Sequence, residues 1–410
     1  MKIKEIEAFV IKADVYGNKP FWGAGYWGKH PDVHPALPQG HPGDITTEYP
    51  PIQRIRPSYS KNLEAVIVKI STDTGLVGWG ESHTPVAPEV TKELIDRLLT
   101  PLLAGRDPLD IQPLWDLKYS TMRMRGHTSG FMLEAISGID IALWDIAGKH
   151  LGVPAAKLMG GVLRDQIQVY ASSLPRVQAE SGDAGWTGLV ERAQSLVDEG
   201  YRAIKIKLGL DYEMDRHAME ILRKALGKEV LLPVDVNGSY DLSLAKKAGR
   251  MFEETGAFWL EEPLPPENLR DYARLAEALT IRVVAGECLD NRWIYNDYFT
   301  AGAVDVINPD VSRAGGISES KRISDLADVY GIPYSPHIST GTAIYMAASL
   351  QWAAAGPNFM MCEWPLEQSA VGNGILEEPF EFQDGYVRLP VKPGLGIVVN
   401  ETALRDYQVE

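Results

Sequence analysis

The chain has 410 residues, 45% of them apolar and 23% charged, with a formal net charge of −15. That length accommodates one large barrel plus a second domain, and the composition is ordinary for a globular protein with a sizeable core. The acidic balance disfavours a nucleic-acid partner, no stretch is long and apolar enough to span a membrane, and an anionic small substrate stays open because a bound cation reverses the local field.

The first region runs to residue 130. Its opening residues intersperse charge and apolar groups, which reads as the approach to a strand with no leader-like apolar run. Residues 2–12 alternate only loosely, and Ile6 with 8–11 suits a strand with one well-buried face. Residues 63–71 and 76–81 read as two strands joined by a hairpin turn at Asp73-Thr74-Gly75. Before that hairpin lies a long segment, 17–60, rich in Gly, Pro, His and aromatic residues. A segment of that length inside a domain is usually functional or disordered. Helical patterns follow at 88–104 and 110–122.

The second region, 131–365, alternates strand and helix. Short apolar strands are expected at 168–172, 203–208, 231–236, 258–260, 282–285, 304–307, 333–335 and 359–362. Helices are expected between them, for example at 187–199, 242–254, 267–279, 316–330 and 341–355. Asp241 opens one and Gly200 ends another, as caps do. Eight strands with seven intervening helices is the pattern of a parallel barrel that lacks its eighth helix. The third region, 366–410, reads as short strands and turns, such as 385–389 and 396–400, able to rejoin the first region. Cys288 and Cys362 sit inside apolar runs, so no disulfide framework is expected, which fits a reducing cytoplasm.

Barrels of this kind do their chemistry where the strands end. The second strand ends in Lys205-Ile206-Lys207, whose alternation points both lysines the same way, toward the barrel mouth. The third ends in Asp235 and Asn237, the fourth in Glu261, the fifth in Glu287, the sixth in Asp310, the seventh in His337 and the eighth in Glu363. Asp235, Glu261 and Glu287 are spaced 26 and 26 residues apart, one strand-plus-helix unit each, which sets three carboxylates side by side. Three hard oxygen donors without Cys or His favour Mg²⁺ or Mn²⁺ over zinc. Asp310 and His337 lie 27 residues apart on adjacent strands, and a carboxylate beside an imidazole fixes its tautomer and raises its basicity. Any one of these residues taken singly reads as well as a polar loop residue; the argument rests on the set in register.

Two further stretches carry a resemblance. Residues 135–149, with Pro154 and Leu158-Met159-Gly160, and Asn308-Pro309-Asp310 with Gly315-Gly316, resemble the mandelate racemase group of the enolase superfamily. The resemblance covers nearly the whole chain. It implies an α/β protein: a (β/α)7β modified TIM barrel over residues 131–365, with an α+β capping domain built from residues 1–130 and the tail 366–410. The long 17–60 loop reads either as a cap over the active site or as a surface insertion. The resemblance also implies Mg²⁺ on Asp235, Glu261 and Glu287, and Lys207 as one acid/base. Lys205 would sit near the substrate carboxylate and lower the Lys207 pKa, and Asp310–His337 would be the opposed dyad. Glu363 would hydrogen-bond the substrate carboxylate or the enediolate. Asp310 replaces the Lys of the muconate-cycloisomerising branch, Cys362-Glu363-Trp364 replaces the Asp-x-Asp of the dipeptide-epimerising branch, and Asn237 stands where some sugar-acid dehydratases have His.

The chemistry so implied is removal of the proton next to a carboxylate, with the enediolate stabilised electrostatically in a site that excludes bulk water. His337 then either expels a β-hydroxyl, giving a 2-keto-3-deoxy acid, or returns the proton to give an epimer. The expected function is acid-sugar dehydration, with a racemase or epimerase as the alternative. An aldolase-like metal barrel and a non-catalytic binding protein are further competitors. Asn237, Trp22 and His30 are the candidate substrate contacts, with Tyr26, His34, His41, Arg54 and Arg56 of the same loop as further readers of hydroxyls. The expected partner is a small carboxylate; nucleic acid and membrane are not expected, and the resemblance implies an even-numbered homo-oligomer.

Overall fold

The computed structural model describes residues 1–14, 60, 62–174, 176–177, 182–209, 211–339, 341–366 and 371–409. Strands β1 (Ile3–Ala13), β2 (Leu63–Thr72) and β3 (Val77–Ser82) form an antiparallel sheet in that order. The β2–β3 turn falls at Asp73-Thr74-Gly75, where Gly75 takes φ 87°, a left-handed conformation that costs glycine little. The loose alternation of β1 has a tertiary reason. Ile6, Ala8 and Val10 enter one apolar core while Phe9, Ile11 and Ala13 enter another, so both faces are buried.

The helix Phe131–Leu151 covers one of those faces. It is apolar nearly all round, as a helix packed on several sides must be. Its approach to β3 is backbone to backbone: a Cβ on Gly80 would lie 1.8 Å from the Gly138 carbonyl oxygen. On sequence this helix begins the barrel region. In the structure it shares its core with β1–β3, so the boundary expected at 130 falls where the sheet's own covering helix starts. An apolar stripe says that a face is buried, not against what.

The barrel strands are β4 (Gln166–Leu174), β5 (Ile204–Lys207), β6 (Pro233–Asp235), β7 (Trp259–Glu261), β8 (Arg282–Ala285), β9 (Val306–Ile307) and β10 (Cys362–Pro365). All pair in parallel, and β10 closes on β4 through Cys362↔Val169. The strand expected at 333–335 is reduced to bridges at Tyr334, which joins Ile307 on one side and Phe359 on the other. Pro333 and Pro336 bring no N–H to a ladder, which explains the truncation. The last strand correspondingly lies later than expected, at Cys362–Pro365. Seven helices lie between successive strands among the described residues, the last being Ala343–Ala355. Asp241 caps its helix as read, its carboxylate accepting from Leu244 N, and Asp211 caps another in the same way, accepting from Glu213 N and Met214 N.

The tail touches both parts. β11 (Phe382–Gln383) and β12 (Tyr386–Arg388) form a hairpin whose second strand pairs with β4. Helix Glu401–Arg405 returns to the first sheet, with Arg405 on Glu7 at 2.8 Å and Lys69 on Glu401 at 2.6 Å. The strand expected at 396–400 is a single bridge, Leu376↔Val399; the left-handed Gly394 and Gly396 keep the chain from extending. Cys362 is buried, but Cys288 is exposed, contrary to its apolar sequence neighbours; both thiols are free. Inside the barrel, Tyr170, Ala203, Trp259, Val284, Val306 and Met361 pack into a plug. That plug is the floor of the site. No helix among the described residues is long and apolar enough to cross a membrane.

Candidate active site

Strand register does the first part of the assembly. Lys207 pairs with Asp235, and Asp235 with Glu261, so these three side chains leave neighbouring strands at one level. In a parallel ladder, partners at one level point to the same face. Glu287 lies beyond β8, and its backbone N–H reaches Asn308 Oδ1 at 3.2 Å. Ligand oxygens of Asp235, Glu261 and Glu287 come within 4.8 Å of one another.

Lys205 lies below this triad. Its ammonium is fully buried, 2.8 Å from Glu261 Oε1, 2.6 Å from Glu363 Oε1 and 3.6 Å from Asp235 Oδ2, over the Tyr170 ring. Burial opposes its charge, but the surrounding carboxylates win and hold its pKa well above the ordinary value. Lys205 is thus enclosed by carboxylates below the mouth that it was expected to reach. Lys207 is partly open and pairs with Asp235. Burial favours a neutral Asp235, yet Lys207 and Lys205 together hold it well below the carboxylate range. Burial raises Glu261, and Asp235, Glu363 and Glu287 push the same way against the pull of Lys205.

Across the triad stands the His337–Asp310 pair, expected from sequence to be the opposed acid/base group. His337 Nδ1 lies 2.8 Å from Asp310 Oδ2. Its Nε2 lies 3.3 Å from Glu287 Oε2 and 3.8 Å from Glu363 Oε2. Burial alone would make the imidazole neutral; Glu287, Glu363 and Asp310 overcome it and raise His337 to about 9. Asp310 is held low despite its burial by the bond from His337 and by His83 and Arg313. Glu363 accepts from Ser172 Oγ and Lys205 on one oxygen and from Ile338 N on the other, and its cations hold it low against burial. In this state it accepts hydrogen bonds and donates none.

The other expected contacts divide. Asn237 sits beside the triad at φ 45°, giving its backbone N–H to Asp235 Oδ1 at 2.9 Å; its own side-chain oxygen is buried without a partner. Trp22 and His30, with the other loop residues read as contacts, lie outside the described residues. Four participants were not singled out from sequence. Asn308 gives Nδ2 to the Glu261 carboxylate at 3.2 Å while its Oδ1 takes the Glu287 backbone N–H, so one amide braces one carboxylate and the backbone that carries another. Trp259 Nε1 donates to Glu261 at 3.0 Å, Ser172 donates to Glu363, and Tyr345 donates to Asp310. For Asn308 a signal existed, since it opens the Asn-Pro-Asp triplet; Tyr345 lies inside an apolar helix with no such mark.

The donor set fits a divalent cation. Five acidic side chains (Asp235, Glu261, Glu287, Asp310 and Glu363) gather round three basic ones, Lys205, Lys207 and His337. Glu287 Oε2 is buried and accepts no hydrogen bond, His337 Nε2 being near enough for attraction but not aligned. Three clustered hard oxygen donors, one of them buried without a partner, are a Mg²⁺ or Mn²⁺ environment.

Fold and site together define a capped (β/α)7β barrel carrying a carboxylate triad between a lysine and an imidazole–carboxylate pair. Residues 44–160 match the mandelate racemase / muconate lactonizing enzyme N-terminal domain, and residues 188–403 match the enolase C-terminal domain-like family. The chain belongs to the mandelate racemase / muconate lactonizing enzyme family of the enolase superfamily. It is 35% identical over 353 residues to the D-galactarolactone cycloisomerase of Agrobacterium fabrum, covering 84% of this chain and 91% of that one. It is 34% identical over 366 residues to the D-xylonate dehydratase of Haloferax volcanii, covering 85% and 86%. Among solved structures, a member of the enolase superfamily from Agrobacterium tumefaciens matches with a TM-score of 0.86 at 26% identity, over 100% of this chain and 99% of that one. Enolase-superfamily sites use one or two Mg²⁺ ions with a Lys or His base.

Proposed function

We propose that this chain is a Mg²⁺-dependent acid-sugar dehydratase, a cytoplasmic hydro-lyase of carbohydrate catabolism. The observation that carries the reading is the placement of Lys207 and of the His337–Asp310 pair around one carboxylate triad. Asp235, Glu261 and Glu287 would hold the ion. When bound, the ion supplies positive charge for the negative charge that develops on the substrate carboxylate.

The rest is done by the chain. Lys207, as the base, takes the proton from the carbon next to the carboxylate; the C–H electron pair is first delocalised into that carboxylate and then becomes the new carbon–carbon π bond as the hydroxyl leaves. His337, protonated and held by Asp310, gives its Nε2 proton to the β-hydroxyl, which leaves as water with the C–O electron pair. The enol then becomes the 2-keto-3-deoxy acid. Lys205 stays ion-paired and keeps Glu261 and Glu363 in place. Asn237, with its unpartnered buried oxygen beside Asp235, is a candidate contact for a substrate hydroxyl. Trp22 and His30 are proposed to read the sugar from the loop. A homo-oligomer belongs to the same reading.

The Agrobacterium relative, a D-galactarolactone cycloisomerase, favours an isomerase as the second reading. A hydroxyl is a poor leaving group and needs an acid, whereas the leaving oxygen of a lactone ring departs as a carboxylate without one. An imidazole held by Asp310 opposite Lys207 is placed to supply that acid, which suits loss of a hydroxyl. The test is a set of mono- and diacid sugars and their lactones with Mg²⁺ in D₂O, with and without EDTA. Dehydration predicts a 2-keto-3-deoxy acid from at least one open-chain acid, lost with EDTA and reduced about 10²- to 10⁴-fold in Lys207→Met. α-Deuterated acid without keto product selects the racemase or epimerase, turnover of lactones alone selects the cycloisomerase, and undiminished turnover by Lys207→Met rejects proton abstraction by this residue.

A further inference from the structure

We propose that Tyr345 is a positioning residue for the Asp310–His337 pair, and that Glu81, in the sheet of β1–β3, holds Tyr345 in place. The proposal rests on the acid role given to His337 above.

Asp310 has two oxygens, and each is accounted for. Oδ1 accepts the Ser312 N–H at 2.8 Å. Oδ2 receives both His337 Nδ1 at 2.8 Å and the Tyr345 hydroxyl. That hydroxyl has one proton and two acceptors within reach, Asp310 Oδ2 and the His337 carbonyl at 3.1 Å. A carboxylate is the stronger acceptor. The Ser339 N–H, 3.3 Å from the same hydroxyl oxygen, occupies a lone pair and leaves the proton directed at Asp310. Tyr345 thereby fixes the rotation of the Asp310 carboxylate about its own axis. The same rotation sets the plane and tilt of the His337 ring.

What fixes Tyr345 comes from the other domain. Glu81, at the inner end of β3, is fully buried, and among the described residues no Lys or Arg pairs with it. Its carboxylate accepts from Thr342 N at 2.9 and 3.1 Å, from Thr342 Oγ1, and from Tyr345 N at 3.1 Å. These are the first residues of helix Ala343–Ala355, so Glu81 caps that helix and places its first turn. Gly341 makes the approach possible, since a Cβ there would lie 2.3 Å from the Tyr345 ring and 2.8 Å from Glu81 Oε1. The same strand end is tied to the Asp310 loop a second time. Ser312 Oγ donates to the Glu81 carbonyl, His83 N donates to the Ser312 carbonyl at 3.2 Å, and the His83 ring stacks on Tyr345. None of these bonds reaches Lys207, which is held by Asp235. The two acid/base groups are therefore supported independently: Lys207 by the barrel, His337 in part by the capping sheet.

Tyr345→Phe removes one hydroxyl and keeps the ring, so it tests the contact with little change in packing. The first readout needs no substrate: the imidazole N–H resonances of ¹⁵N-histidine-labelled protein, with His337→Asn used to assign His337 Nδ1–H. The expected result is a displaced His337 signal in Tyr345→Phe and in Glu81→Gln, and an unmoved one in Thr342→Ser, which keeps the hydroxyl that Glu81 holds. The second readout uses a sugar acid turned over in the D₂O screen. Because Lys207 carries exchangeable deuterons, an intermediate that waits for His337 returns to substrate labelled. Tyr345→Phe should lower kcat for keto product roughly 10- to 100-fold, as loss of a supporting hydrogen bond does at other tuned sites. KM should be nearly unchanged, and the ratio of α-deuterium in recovered acid to keto product should rise. An unmoved His337 resonance overturns the proposal, and so does an equal loss of exchange and product. If no acid in the screen is turned over, the functional reading fails, and the resonance comparison still decides the positioning role.

Discussion

Replacing Lys205 with Met tests the reading of that residue as a structural cation. The ammonium has Glu261 at 2.8 Å, Glu363 at 2.6 Å and Asp235 at 3.6 Å, and none of the four side chains is appreciably open to water. Methionine matches its length and bulk but leaves those carboxylates without their shared counter-ion. Removing one partner of a buried ion pair costs about 3–5 kcal/mol. For a domain of the barrel's size each kcal/mol is worth roughly 2–4 °C, so Tm of the EDTA-treated protein should fall by about 6–20 °C at pH 8. The sign of the pH dependence follows from the carboxylates. Glu363 is depressed in the folded wild type, so its contribution is full above the unfolded value of about 4.3 and is lost as pH falls below that. In the variant that contribution is gone, and burial, no longer opposed by the lysine, raises Glu363 so that it takes up a proton as pH falls. The gap between wild type and variant should therefore be wide at pH 8 and narrow steadily toward pH 5. Thermal unfolding in EDTA at four or five pH values measures it. A variant within 2 °C of wild type at pH 8, or a gap that does not change with pH, would refute the account.

Two other outcomes follow from particular contacts. Asn308→Leu removes the amide that braces Glu261 and Glu287, so Mg²⁺ affinity by calorimetry should weaken roughly 10- to 100-fold with little change in fold; unchanged affinity means the triad holds its geometry unaided. Asp215, buried under Tyr240 and the Gly209 N–H just past Lys207, is pushed by burial up to about 6. A raised carboxyl contributes its stability below the unfolded value of about 3.9 and loses it as pH rises through about 6, so the stability of wild type relative to Asp215→Asn should fall by up to about 3 kcal/mol across that window. Denaturant melts at pH 4, 5, 6 and 7 check it, and a flat difference would contradict it.

Much of this protein is written along the chain. The barrel is a repeat of local units, each with its own apolar strand, helix and cap, so spacing alone puts Asp235, Glu261 and Glu287 on neighbouring strands. The same repeat puts Asp310 one unit before His337, and the structure has them 2.8 Å apart. These are consequences of period and register, which short-range patterns report.

The contacts that cross between units are not periodic, and only the folded chain decided them. Lys205 and Lys207 look alike on one strand face, yet packing seals the first against Glu261 and Glu363 and leaves the second partly open. The helix Phe131–Leu151 has an apolar pattern that shows burial and no mark of its partner, which proved to be the β1–β3 sheet. Glu81 stands 261 residues from Thr342, and Tyr345 stands 35 from Asp310, separations at which no sequence pattern pairs one side chain with another. Such pairs form because a buried carboxylate must find donors wherever the fold brings them, and tertiary packing alone determines which donors those are.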